Sequence, residues 1–223
     1  FEPPFVNDGA LAAGGKGLKL SAVSLPPDQK HSASREDPSL GESSLLEVLH
    51  VTAGLGLAHG GTSYAVPRSC RSQAAAGARV TLFSVAGQDE SGSDTVVDGY
   101  RDRRFRWNLA GIPILRELRC SWDLLRALQH TVPHGDVVHG HGLWLMPNVY
   151  DGRVAAQNKK PYVVSSHGML GPTALTFSRG KKIAFWYMYQ RRIVHKAACI
   201  HVTSESEYEE VRAIGLVNPV AII

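Results

Sequence analysis

Two nearly continuous apolar runs, Asp136-Val137-Val138-His139-Gly140-His141-Gly142 and Pro161-Tyr162-Val163-Val164-Ser165-Ser166-His167-Gly168, each end in a histidine-glycine pair. β-Branched runs without alternation predict strands buried on both faces, as in a parallel sheet covered by helices. Residues 45–52 predict an earlier strand, followed by the loop Gly54-Leu55-Gly56-Leu57-Ala58-His59-Gly60-Gly61 and a helix over 62–76. Pro67 is expected to bend or delay that helix, because it removes a backbone donor. Further strands are expected over 78–85, 198–203 and 219–223, and a short one over 100–109. Residues 87–98 are polar and read as a long surface loop.

Helical spacing places Leu118, Trp122, Leu125 and Leu128 on one packing face within 112–131. Residues 143–157 predict a helix with Pro147 near its start, where proline is tolerated. A basic aromatic segment over 175–198 carries Ile183, Tyr187, Val194 and Ala197 on one face, widened by Trp186 and Ile193. It reads either as a helix covering the sheet or as one whose aromatic and basic residues touch a membrane surface. Ser204-Glu205-Ser206-Glu207 has capping-box spacing, ahead of a helix that closes at Gly215.

Strands alternating with helices over 44–223 define a doubly wound α/β domain with a parallel sheet. Residues 1–43, rich in glycine, proline and serine without an apolar period, are expected to form a disordered tail. In such a sheet, ligands bind in the crevice beyond the carboxyl ends of the strands, where both histidine turns would lie.

Composition changes this picture little. Hydrophobic residues make up 43% and charged residues 20%, ordinary for a globular protein. The formal net charge of +4 is mild, so a basic surface is a local matter of Arg101, Arg103, Arg104 and Arg106, and of Arg179, Lys181, Lys182, Arg191, Arg192 and Lys196. These read as solvated faces or as attraction to phosphates. Nothing resembles an arginine-glycine repeat or zinc-finger spacing, so no nucleic-acid partner is expected. No apolar run approaches the roughly 20 residues that cross a bilayer. The chain opens on Phe1 without a signal-like segment, and a cytoplasmic location is expected. Cys70, Cys120 and Cys199 lack close pairing and read as reduced thiols.

The glycine loop between strand and helix would let backbone amides approach an anion. One of its glycines is out of step with the dinucleotide fingerprint, and Ser84 and Val85 stand where a ribose-binding acid belongs, which argues against NAD. His139 and His141, two apart on a strand, could share a metal, but no further ligand motif accompanies them and none is expected. For His141, a hydrogen-bonding role at the cleft and a buried role both stand.

The order of these motifs carries a resemblance. Gly60-Gly61 after the first strand, Asp136-Val-Val-His139-Gly-His141-Gly-Leu-Trp144, Ser166-His167-Gly168-Met169-Leu170, the Lys-Lys-Ile-Ala-Phe-Trp segment, Tyr189-Gln190-Arg191-Arg192 and Thr203-Ser204-Glu205-Ser206-Glu207 with Ile214-Gly215 resemble the N-terminal half of a family 4 glycosyltransferase of the GT-B fold. The resemblance covers nearly all of 45–223.

It implies a Rossmann-like domain facing a second one across a cleft, and transfer of a sugar, with retained configuration, from a nucleotide-sugar to a glycan, lipid or small-molecule acceptor. Gly60 and Gly61 would face the donor diphosphate, His167 would border the transferred sugar as the catalytic residue, and His139, His141, Gly168 and Met169 would line the acceptor side. No metal or other cofactor is implied. The family continues past the last strand through a Pro-Asn-Gly turn into a donor-binding domain with a Glu-x7-Glu motif. A chain ending at Ile223 is therefore expected to be inactive alone, to need that domain as a partner, and to touch a membrane at most peripherally. The alternative is a non-catalytic binding module that keeps the fold and not the chemistry.

Overall fold

The computed structural model describes residues 45–56, 60–87, 92–108 and 111–223. The expected tail over 1–43 lies outside the described residues. Eight strands form one sheet: β1 (Glu47–Thr52), β2 (Arg79–Ala86), β3 (Asp94–Val97), β4 (Tyr100–Arg106), β5 (Val137–His141), β6 (Tyr162–Ser165), β7 (Cys199–Val202) and β8 (Val220–Ile222). Their order is β3-β4-β2-β1-β5-β6-β7-β8, and every pairing except β3 with β4 is parallel. The order reverses between β1 and β5, the switch point at which doubly wound sheets open their crevice.

Alternation along β1 divides the core. Leu49 and Val51 face one layer with Phe83, Val85, Val138, Tyr162, Val164, Ile200 and Val202. That layer is covered by α3 (Trp122–Thr131) through Leu124 and Leu128, by α4 (Pro147–Gln157) through Tyr150, Val154 and Ala155, and by α7 (Arg191–His195) through Val194. On the other face, α1 (Thr62–Ala75) lays Val66 and Cys70 on Val48, Val80, Leu82 and Tyr100. Helix α1 starts on schedule and runs through Pro67, so the expected delay does not occur. The remaining helices are α2 (Pro113–Glu117), α5 (Pro172–Thr176), α6 (Arg179–Phe185) and α8 (Glu205–Ala213).

Three expectations need correction. Residues 94–97 are not loop but the antiparallel strand β3, turned back at Asp98 (φ +49°) and Gly99 (φ +86°). Two successive left-handed residues match the right-handed twist of a hairpin, and Asp-Gly is a favoured pair for this turn. Three arginines of β4 are ion-paired there: Arg101 and Arg103 share Asp94, at 2.6 Å and 3.2 Å, and Arg104 meets Asp102 at 2.9 Å. Second, Trp122 is 51% exposed while Leu124 and Leu128 are fully buried, because α3 begins at Trp122 and its buried face is set two residues further on. Third, the basic aromatic segment is not one continuous α-helix. Trp186–Gln190 form a π-helical turn between α6 and α7, a wider turn that takes up one extra residue. Trp186, Gln190 and Val194 are buried, whereas Tyr187 is 47% exposed.

Candidate active site

The register of the central strands determines which side chains meet. His50 pairs with His139, Thr52 with His141, His141 with Ser165, and Ser165 with His201. Residues opposite one another in a sheet point to the same face, and so do residues two apart. One face of β1, β5, β6 and β7 therefore carries His50, His139, His141, Ser165 and His201 where apolar residues would otherwise sit. His50 and His141 are 0% and 3% exposed.

These groups satisfy one another. Gln73 of α1 places Oε1 2.9 Å from Nε2 of His50. Nδ1 of His50 lies 2.8 Å from Nε2 of His141, and Nδ1 of His141 lies 3.1 Å from Nε2 of His167. A branch runs from Nε2 of His139 to Ser165 Oγ at 2.7 Å and on to Nδ1 of His201 at 2.7 Å. The His139 and His141 rings stack with centroids 4.2 Å apart. Burial lowers the pKa of His50 to about 4 and holds His139 and His141 well below the ordinary imidazole value. His167 is lowered too: burial outweighs the opposing charge of Glu207, and His201 adds to the lowering. Near neutral pH all four rings are uncharged.

Ligand-capable atoms of His50, His139 and His141 all fall within 4.8 Å of one another, close enough to raise the question of a metal. In this structure one pair is spaced for a hydrogen bond. Two nitrogens bound to a tetrahedral zinc at about 2.0–2.1 Å stand roughly 3.3 Å apart, whereas His50 Nδ1 and His141 Nε2 are 2.8 Å apart, a hydrogen-bond distance.

His167 itself follows β6 in the left-handed region, at φ +49°, with Gly168 next at φ +71°. That turn lifts its ring to the end of the histidine chain, where it is only partly buried. Gly168 is exposed. Met169 packs over the turn after β5: its Sδ accepts from the Leu143 amide at 3.2 Å, and its carbonyl accepts from Trp144 Nε1 at 3.3 Å. Asn148 at the start of α4 donates to the His141 carbonyl at 2.8 Å, and Gln190 of the π-helical turn accepts from the Trp144 amide at 2.8 Å. The loop over 142–146 is therefore held from three sides.

Gly60, at φ +57°, and Gly61, the residue capping α1, are exposed at the same sheet edge. No side chain caps this helix start, and a Cβ added at either glycine would meet nothing within 4 Å among the described residues. The Ser63 and Tyr64 amides turn back to the Gly60 and Gly61 carbonyls at 3.1 Å each, and among the described residues the amides of Gly60, Gly61 and Thr62 have no backbone partner, as at the open start of a helix that can face an anion. Ser204 caps α8 by accepting from the Glu207 amide at 3.2 Å, while the Glu207 carboxylate reaches back to the Thr203 amide at 2.8 Å. Serine and glutamate thus cap as their spacing predicts, displaced by one residue on the return bond.

The structure brings His139, His141 and His167 into one cluster, with Met169 against the adjoining turn. Gly60 and Gly61 share the edge with them and are not hydrogen-bonded to them. Sequence reasoning missed His50 and Gln73. A histidine at the centre of the apolar run Val48-Leu49-His50-Val51 was a legible sign of a buried polar group needing a partner. Nothing in the sequence marked Gln73.

The family model described as glycosyl transferase 4-like domain matches residues 60–223. Among solved structures, the fold resembles HepE of Anabaena, crystallised with UDP, with a TM-score of 0.53 at 14% identity over 80% of this chain and 43% of that one. TcCGT1, also crystallised with UDP, matches with a TM-score of 0.47 at 11% identity, over 80% of this chain and 50% of that one. An α,α-trehalose-phosphate synthase (UDP-forming) of Burkholderia vietnamiensis matches with a TM-score of 0.41 at 9% identity, over 75% of this chain and 41% of that one. The chain thus spans half or less of the length of these structures. No curated protein matches the sequence.

Proposed function

The chain belongs to the glycosyl transferase 4-like family, and on that premise we propose that it forms one wall of a cleft in which a sugar passes from a nucleotide-sugar to an acceptor. The supporting observation is convergence: the turn at Gly60-Gly61 after β1, the end of β5 at His141 and the turn at His167-Gly168 after β6 all lie at the carboxyl edge around the switch point. In this reading the amides at Gly60 and Gly61 face the donor diphosphate, and His167 borders the transferred sugar. Gly168 and Met169 shape the acceptor side. His139 and His141 act from behind, as buried supports of His167.

A second domain, in the same polypeptide or a separate one, would supply the opposite wall with most of the donor contacts. Transfer with retention then needs no metal, because fixed amides and cations stabilise the departing diphosphate. UDP is the first nucleotide to try, since it occupies the HepE crystal. Replacing His167 with Ala in the two-domain enzyme, with turnover measured at saturating UDP-sugar, tests the assignment: a loss of at least tenfold is expected, and unchanged turnover overturns it.

Peripheral membrane contact is part of the same proposal. Met188 and Tyr189 are 65% and 43% exposed beside a groove of about 500 Å³ that Arg153, Lys160, Arg192 and Lys196 also line. Basic and aromatic groups together suit an anionic lipid surface. Among the described residues no helix is long and apolar enough to cross a membrane. Co-sedimentation with anionic vesicles at low salt is expected, and its failure would remove this part of the reading.

A further inference from the structure

The chain Gln73–His50–His141–His167 has a direction. A neutral imidazole carries one N–H and one lone pair, so the tautomer of each ring dictates that of the next. We infer that Gln73, through His50 and His141, fixes His167 as the Nε2–H tautomer and so presents its Nδ1 lone pair to the cleft. Gln73, His50 and His141 are then positioning residues, and His167 meets its ligand as an acceptor.

The direction is set at the helix end of the chain. The Gln73 carboxamide lies with Oε1 toward His50 and with Nε2 3.3 Å from Ser69 Oγ one helical turn earlier, where the hydroxyl accepts. A carbonyl oxygen only accepts, so Nε2 of His50 donates and its Nδ1 accepts from Nε2–H of His141. Nδ1 of His141 in turn accepts from Nε2–H of His167. Among the described residues, Nδ1 of His167 has no hydrogen-bond partner. The rings of His50, His141 and His167 are all held below their ordinary pKa, chiefly by burial, which keeps one proton on each. The branch through His139, Ser165 and His201 shares no hydrogen bond with this chain and leaves its direction untouched.

That direction selects a class of ligand. A lone pair at Nδ1 accepts a hydrogen bond from a hydroxyl and repels a phosphate oxygen. His167 would therefore read a sugar hydroxyl, and the diphosphate would lie elsewhere in the cleft. This ligand assignment rests on the sugar-transfer reading, whereas the tautomer itself does not.

Nitrogen-15 NMR of histidine-labelled protein distinguishes the two ring nitrogens directly, and is recorded at pH 7.5 without donor or acceptor. His50, His141 and His167 are expected as Nε2–H tautomers. If the Gln73 amide is reversed, the whole chain inverts and all three appear as Nδ1–H, which overturns the inference. Gln73→Leu removes the acceptor and should shift His167 toward a mixture of tautomers, while Gln73→Glu, still an acceptor at that position, should keep Nε2–H. A His167 signal unmoved in Gln73→Leu overturns the role of Gln73, and stoichiometric metal in the purified protein overturns the hydrogen-bonded chain. Should Gln73→Leu not fold, the wild-type spectrum alone still decides the direction. Because no substrate is present, the spectrum stands or falls apart from sugar transfer.

Discussion

The phenol of Tyr162 on β6 donates to Oδ1 of Asp151 on α4 at 3.3 Å, and the two are 5% and 0% exposed. The Gly152 amide also donates to Oδ1, while the buried Oδ2 has no partner. Burial raises the Asp151 carboxyl to about 7, only partly countered by these donors. A proton kept on Oδ2 in the folded state is consistent with that shift.

The sign of the resulting pH dependence is unusual for an aspartate. Between about pH 4 and pH 7 the folded chain keeps a proton that the unfolded chain releases, so this group's contribution to stability falls as pH rises through that window. The shift corresponds to about 4 kcal/mol, which is lost in full above pH 7. Asp151→Asn should raise the urea midpoint at pH 8 and bring it no advantage at pH 4. A midpoint unchanged at pH 8 would contradict the assignment.

The histidines act in the opposite direction. His50, His139, His141 and His167 all have folded pKa values below that of a free imidazole. Their contribution is complete above about pH 6.5 and is lost as pH falls from there toward 4, since the unfolded chain takes up protons that the folded one refuses. His50 alone accounts for about 3 kcal/mol across that window. Asp151→Asn protein, freed of the opposing carboxyl, should show this acid decline most clearly in thermal melts between pH 7 and pH 5. A flat profile would mean that water reaches the rings.

Gly140 sits between His139 and His141, and a Cβ there would run into Asp151 Oδ2 and the Tyr162 hydroxyl. Both are buried and neither is the free end of a flexible chain. Gly140→Ala should cost about 3 kcal/mol, the upper range of overpacking, and should weaken the contact between β5 and α4 more than it perturbs β2. Denaturant unfolding gives the first quantity and amide exchange the second.

Ser121 is fully buried and makes two bonds, accepting from the Leu124 amide at 3.2 Å and donating to the Arg106 carbonyl at 2.7 Å. It joins the start of α3 to the end of β4. Ser121→Ala should therefore cost about 2 kcal/mol, at the top of the range for a helix cap. The more exposed cap Ser204 should cost about 1 kcal/mol on the same substitution, and equal losses at both sites would show that the bond to Arg106 contributes nothing.

Much of the site was legible because the chemistry interrupts an apolar pattern. His139, His141 and His167 close runs of valine, and a parallel sheet delivers such run ends to one edge. His50 carried the same information inside a run, where a single polar residue is easily absorbed into the strand. Gln73 could not be read, because its partner is fixed by how α1 lies on β1. In the fold, β3 was obscured by its brevity and by the charges around it, although Asp98-Gly99 already named the turn. Trp122 was misplaced because periodicity gives the spacing of a helical face and not its phase.

The π-helical turn at Trp186–Gln190 has a consequence for how this sequence can change. Each residue of an α-helix advances the face by about 100°, so Trp186, Gln190 and Val194, four apart, all turn inward, while the wider π turn takes up one surplus residue on the exposed side. Deleting one residue from the turn would close it to an ordinary α-helical turn and leave the faces of α6 and α7 nearly where they are. Tyr187 and Met188 lie exposed on the same turn, so this short stretch can vary in length by one residue as well as in composition.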